Sequence, residues 1–411
     1  VIVLIQRPEE RLDDYAIKFV AFKKPFEDVI NADVIKKIDK ANKPIFDDED
    51  FRIFPKTKKE LLLEGVEEPE EEGLIKDPEH LPYIGNKWGG KYLRAPEIYF
   101  KILEKGKDKL VRLGDIAEVR FGIKTGANEF FYLKPVGMSV KEVVEIAEKN
   151  PDALIRVKNG AGWEGEIEAE FLKPVIKSPR ELKTIIVRIE DLNHLVFMCH
   201  KSERELKGTR ALEYIKWGEK QGYHKRPTCK GRQRWWDLGE WEISKNILPM
   251  FENERKYCFY NNANAYIDAA LYWCYSKGID EAYLNLLLNS MLIGLWKELL
   301  CRPPEGLGAL QIKVYHYSEM PIPTIKNLKF NKLVFDRFIK NEIPSIFTEL
   351  GFDRDKEIRK QEPNPLPDRK ALDDIVFDAL ELTEEERKEV YYAVAELVKN
   401  RLEKAKSVKT K

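Results

Sequence analysis

Between residues 113 and 199 the apolar side chains come in short β-rich runs cut by turns, and from residue 283 onward they come mostly at helical spacing. Strands gathered in one part of a chain and helices in another argue against a βαβ repeat and point to an α+β fold. In residues 113–133, two β-rich runs flank a turn built on Gly122, Gly126 and Asn128. Further strands are predicted at 17–22, 172–176, 184–187, 195–199 and 313–323. Helices are predicted at 26–40, 96–105 and 283–300. Ser139 with Glu142, and Thr383 with Glu386, have the spacing of capping boxes that open two more. In the last of these, Val390, Val394, Leu397, Val398 and Leu402 keep one apolar stripe. The chain opens at Val1 on an all-apolar run, residues 1–5, of the kind found in strands covered on both faces. It is expected to be a fragment of a longer protein.

Charge is segregated. The whole chain balances 71 Lys+Arg against 71 Asp+Glu, which excludes a uniformly basic coat. Residues 201–236 nevertheless hold eleven Lys and Arg against four Glu, a surplus of seven. A local surplus of this kind is the footprint of a face for phosphate. The acidic stretch 47–73 reads as a strand, a short helix and a solvated linker. The most apolar segment, 283–300, carries Asn285, Asn289, Ser290, Lys297 and Glu298, so no membrane partner is expected. Five scattered cysteines without a C-x-x-C pair, and no secretory signal, favour a reducing cytoplasm. Abundant Glu and Lys with five Gln suggest a thermophile.

Within the basic window, residues 222–232 read as an extended arm. Arg226 and Arg232 are candidates to fork onto guanine, while Lys225 and Lys230 suit phosphates. Tyr214, Trp217, Tyr223, Trp235 and Trp236 offer rings for stacking, the last two being expected to anchor the core. The Cys and His residues lack the spacing of a structural zinc site. There is no G-x-S-x-G and no Walker A loop, and no G-x-G-x-x-G follows a strand. Two alternatives stand beside DNA binding. One is a metal-dependent nuclease using Asp152, Glu166, Glu168 and Glu170; the other is a protein-interaction scaffold docking an acidic partner on the basic window.

Several stretches resemble the C-terminal half of type II adenine-N6 DNA methyltransferases of restriction-modification systems. They are residues 87–96, then Gly122-x₂-Thr125-Gly126-x-Asn128-x₂-Phe131, and Tyr214-Ile215-Lys216-Trp217-Gly218. Tyr223-His224-Lys225-Arg226-Pro227 and Arg234-Trp235-Trp236-Asp237-Leu238 follow, then Leu288-Asn289-Ser290 and Pro367-Asp368-Arg369-x-Ala371-Leu372-Asp373. Their order along the chain carries the likeness, and the middle part is similar to a TaqI-like specificity domain.

The resemblance implies three regions: the edge of a methyltransferase core with an acidic linker (1–80), a mixed-strand target recognition domain (81–325), and a helical C-terminal region (326–411). Residues 1–22 would be remnant strands of the methyltransferase sheet. The implied partners are double-stranded DNA and an N-terminal methyltransferase domain. The implied contact residues are Lys124, Thr125, Asn128, Lys216, Lys225, Arg226, Lys230, Arg232, Gln233 and Arg234, with Arg226, Arg232 and Gln233 as base readers. The turn at Lys124, Thr125 and Asn128 would oppose the arm. Such enzymes hold the flipped adenine at an Asn-Pro-Pro-aromatic motif and S-adenosylmethionine on a Gly-containing loop; this sequence has neither, and Pro363-Asn364-Pro365-Leu366 is only an echo. The chain alone is therefore expected to bind no cofactor and to be inactive, with S-adenosylmethionine belonging to the full-length enzyme.

Overall fold

The computed structural model describes residues 16–46, 48–65, 88–93, 95–301, 308–324 and 329–409. The strand expected at residues 1–5 lies outside the described residues, as do residues 47 and 66–73 of the acidic stretch, whose expected strand and short helix are Phe51–Thr57 and Lys58–Gly65. The chain divides into two compact units, Val1–Leu103 and Glu104–Lys411.

In the first unit, Ala16–Phe22 pairs antiparallel with Phe51–Thr57, setting Phe19 opposite Phe54. Phe51 and Ile53 are buried with Val29 and Ala41, and Val20, Phe22, Val34, Ile38 and Ile45 close the cluster. The helix expected at 26–40 is two helices, Phe26–Val29 and Ala32–Lys40. The Asn31 side chain accepts from the backbone N–H of Asp33 and Val34, each at 3.0 Å, and so starts a new helix where a continuous one was expected.

The second unit holds two mixed sheets. One has six strands in the order Tyr266–Ile267, Leu172–Ile176, His194–Phe197, Tyr132–Pro135, Leu154–Asn159, Glu164–Glu168. The other has five, in the order Ala117–Phe121, Leu271–Ser276, Asn246–Pro249, Phe259–Asn261, Ile186–Val187. In each, one terminal strand pairs parallel with its neighbour and the other pairings are antiparallel. His194–Phe197 is buried along its whole length, as a central strand should be. Leu154–Asn159, near the edge, alternates, with Ile155 and Val157 inward and Arg156 and Lys158 outward. With its helices concentrated toward the C-terminus, the chain has the α+β class expected of it.

The helices that matter below are α1 (Arg210–Lys220), α2 (Glu281–Leu288), α3 (Met291–Leu300), α4 (Pro367–Ala379) and α5 (Glu384–Lys409). The single helix expected at 283–300 is broken into α2 and α3, and side chains take over the backbone bonds at the break. Asn289 donates to the Cys258 and Asn285 carbonyls, each at 2.9 Å, and accepts from Cys258 N at 2.9 Å. Arg369 on α4 donates to the Asn289 carbonyl at 2.5 Å, while Asp373, one turn on, accepts from Met291 N at 2.8 Å. Two stretches separated by almost eighty positions, Leu288-Asn289-Ser290 and Pro367 to Asp373, thus meet at one joint. Arg369 also donates twice to Glu349 Oε1, at 2.8 and 2.7 Å. Helix α5 is tied down by a buried charge network: Arg401 to Glu298 at 2.8 Å, Glu298 to Lys256 at 2.7 Å, and Lys297 to Glu252 at 2.6 Å.

Asp373 makes the joint sensitive to pH. Burial pushes its carboxyl up to about 7, against the pull of Arg369. The unfolded value is about 3.9, so the folded state holds the proton more tightly. The stability this gives is complete below about pH 4 and is lost as pH rises toward 7. Urea unfolding from pH 4.5 to 7.5 is expected to show the wild type losing stability relative to Asp373→Asn; parallel profiles would contradict the assignment.

Two other expectations are corrected. Residues 313–323 are not one strand: Val314–Ser318 is helical, with Lys313 N bonded to His316 Nδ1 at 3.1 Å, and only Pro321–Pro323 pairs, with Leu110–Arg112. Residues 222–232 are not extended, since Tyr223–Lys225 and Pro227–Lys230 form helical turns around buried Tyr223 and Cys229. Both capping boxes form as expected, at Ser139–Glu142 and Thr383–Glu386. Among the described residues no helix is long and apolar enough to cross a membrane.

Candidate nucleic-acid interface

Helix α1 is set on the six-stranded sheet by a carboxylate that sequence reasoning assigned to metal chemistry. Glu168 accepts from the N–H groups of Arg210 at 2.6 Å and Ala211 at 2.9 Å, filling the open donors at the start of α1. Thr209 adds the cap to Leu212 N at 3.2 Å. Of the other carboxylates proposed for a nuclease, Glu170 pairs with Lys201 at 2.7 Å, and Asp152 and Glu166 are exposed. Among the described residues no three His, Cys, Asp or Glu side chains converge as metal ligands.

The aromatic residues of the basic window build a floor. Tyr214 stacks on Phe130 with centroids 4.5 Å apart and planes within 5°, and Trp217 continues the column at 5.6 Å and 7°. The Tyr214 hydroxyl donates to the Phe130 carbonyl at 2.6 Å and accepts from Asn159 at 3.0 Å. Gly218 lets this column close, because a Cβ there would lie 2.6 Å from the Phe130 ring and 2.7 Å from Trp235. Tyr214, Tyr223, Trp235 and Trp236 are buried, so they do not serve as stacking platforms; Trp217 is half-buried.

On this floor the turn after Ile123 and the helical turns at 223–230 pack against each other. They form one composite surface and do not face each other as opposing contacts. Gly126, at φ +76°, gives a conformation that other residues rarely take, and a Cβ there would lie 2.6 Å from Thr228. Cys229 lies buried with its thiol 3.6 Å from the Thr125 carbonyl, and burial raises its pKa. Arg232 turns its fork inward, donating to the carbonyls of Lys124 at 2.6 Å, Thr125 at 2.9 Å and Trp235 at 3.2 Å. It thereby clamps the turn. Arg226 lies over the Tyr223 ring, 4.6 Å from its centroid, and pairs with Glu129. That hydrogen bond holds the Glu129 carboxyl below its ordinary value.

The remaining contact candidates fall into two groups. Arg234 pairs with Asp237 at 2.5 Å, and Lys216 with Glu203 and with Glu219, the latter at 3.0 Å. Thr125 is buried and bonded to the exposed Asn128. Lys124, Lys225, Lys230 and Gln233 are exposed, and their side chains have no ion-pair or hydrogen-bond partner among the described residues. Three ammonium groups without carboxylates, two of them on the turns that Arg232 and Cys229 tie to the third, suit a polyanion. Sequence reasoning missed Glu129 and Cys229 and gave Glu168 a different role. No spacing marks them, because each acts through a contact distant in the chain.

Residues 169–346 match the family model described as Type II methyltransferase M.Eco57I, C-terminal domain. The match covers α1 and the turns at 223–230 and begins after the Lys124–Glu129 turn. A search of curated proteins gave no match. Among solved structures, the chain is similar to the type IIG restriction endonuclease BpuSI, at 13% identity and a TM-score of 0.47, over 97% of this chain and 41% of that one. The chain therefore spans less than half the length of that enzyme. Over residues 169–346 this chain is thus similar to the C-terminal domain of type II methyltransferases of the M.Eco57I kind.

Proposed function

We propose that this chain is the part of a type II restriction-modification methyltransferase that recognises double-stranded DNA. The observation that carries this reading is that Lys124, Lys225 and Lys230 are exposed on one clamped surface without a partner among the described residues, two of them inside the stretch similar to the methyltransferase domain. Lys124, Lys225 and Lys230 would hold phosphates, and Asn128 and Gln233 would face base edges. Arg226, Arg232 and Arg234 would act behind them by fixing the turns. Lys216, held by its two glutamates, would lie at the rim.

Under this reading the modified base is adenine, and the methyl transfer takes place in a separate catalytic domain. Base extrusion costs a few kcal/mol, which a recognition surface gripping the flanking duplex helps offset. The strand pair Ala16–Phe22 and Phe51–Thr57 would be the edge of that catalytic domain's sheet. The depression along α1 does not suit S-adenosylmethionine. The open depression of about 380 Å³ along α1 is lined by Lys216 and Lys220 beside Trp217 and Glu213, and two ammonium groups repel a sulfonium. The arrangement of Asp152, Glu166, Glu168 and Glu170 does not favour a nuclease.

Titrating the purified chain against a fluorescent duplex at several salt concentrations tests the reading. Affinity is expected to fall with salt at a slope near −0.9 for each phosphate contact. Absence of duplex binding at low salt would overturn it and favour a protein-docking surface.

A further inference from the structure

Thr125 is 1% exposed, so a duplex lying on this surface meets Asn128 and not Thr125. Its hydroxyl accepts from Ala127 N at 3.2 Å and is hydrogen-bonded to Asn128 Oδ1. A hydroxyl has one proton. That proton goes to Asn128 Oδ1, because a flipped amide would donate to the hydroxyl's second lone pair and leave the proton of a buried hydroxyl without this acceptor. The amide is thereby fixed with oxygen inward, and its NH₂ group remains available with both donors. The turn carrying it is held by the Arg232 fork on the Lys124 and Thr125 carbonyls and by the close approach of Thr228 to Gly126.

We infer that Thr125 is a positioning residue for base readout, orienting Asn128 so that it offers N–H donors to an acceptor-bearing base edge. The inference rests on the DNA-recognition reading above. In the major groove such acceptors are guanine O6 and N7, adenine N7 and thymine O4, whereas cytosine presents only a donor at N4. An amide free to flip would accept either kind of edge; a fixed one discriminates. Lys124, next to Thr125, supplies a charge for the adjoining phosphate.

The test compares the wild-type chain, Thr125→Val and Thr125→Ser on a duplex selected from a randomised pool and on versions of it with single base-pair changes. Wild type is expected to lose affinity about tenfold when one acceptor-edged base is exchanged for cytosine. Thr125→Val, which keeps the shape and removes the hydroxyl, should reduce that ratio to near one. Its affinity for unselected duplex and its salt slope should remain unchanged, and Thr125→Ser should restore discrimination. A tenfold ratio retained by Thr125→Val overturns the inference alone. So does an equal loss on every duplex, which would mark a purely structural role, or a failure of Thr125→Ser to restore discrimination. A wild-type chain that binds duplex but selects no motif overturns the inference together with the recognition reading.

Discussion

Replacing Arg369 by Leu is expected to lower the free energy of unfolding by about 3–5 kcal/mol, the range for breaking a buried ion pair by removing one partner. Arg369 is 2% exposed and serves three elements: it bonds Glu349, donates to the Asn289 carbonyl and lies 3.5 Å from Asp373. A leucine fills much of the space but leaves the Glu349 carboxylate and the Asn289 carbonyl buried without that donor. Arg369→Lys keeps the charge and loses the fork, so its loss should be smaller. Urea midpoints followed by circular dichroism measure both. Duplex affinity per folded molecule should be unaffected, because the joint is not part of the proposed surface. A loss within about 0.5 kcal/mol, typical of surface substitutions, would contradict the role assigned to this arginine.

The second large effect concerns the lysines. Converting Lys124, Lys225 and Lys230 together to alanine is expected to reduce duplex affinity on the order of a hundredfold at low salt. The salt slope should fall by about 0.9 for each lost phosphate contact. Stability should hardly change, since none of the three side chains has an ion-pair or hydrogen-bond partner among the described residues. Converting Lys216 alone should have a smaller effect, because Glu203 and Glu219 already offset its charge. Equal losses from Lys216 and from the three lysines would mean that general charge, and not this surface, controls binding.

Much of the fold was legible because local signals and tertiary demands agree. The capping boxes at Ser139 and Thr383 and the strand at 172–176 appear where their patterns place them. Several misreadings share one cause, which is that a polar side chain taking up backbone hydrogen bonds overrode the pattern of apolar residues. Asn289 bonding to Cys258 broke a helix that hydrophobicity alone would have continued. Lys313 N bonding to His316 Nδ1 helped coil a segment with strand composition. At the candidate site, the charge surplus located the region, but sign alone does not tell a cation facing solvent from one facing a carbonyl. Arg232 and Lys230 look equally suited to DNA as letters, yet one is turned onto the backbone of Lys124 and Thr125 and the other is exposed. Sequence likewise gives no sign that Glu168 caps α1.

The central claim, recognition of DNA sequence by the Lys124–Gln233 surface, is tested most directly by selection. The purified chain would be mixed with a randomised duplex pool at two salt concentrations, and the retained DNA sequenced. The account predicts a short enriched motif at both concentrations, with discrimination of about 1–3 kcal/mol at each read position. It also predicts that the motif weakens when Asn128 and Gln233 become alanine. Salt-sensitive retention of DNA without any enriched motif would contradict it.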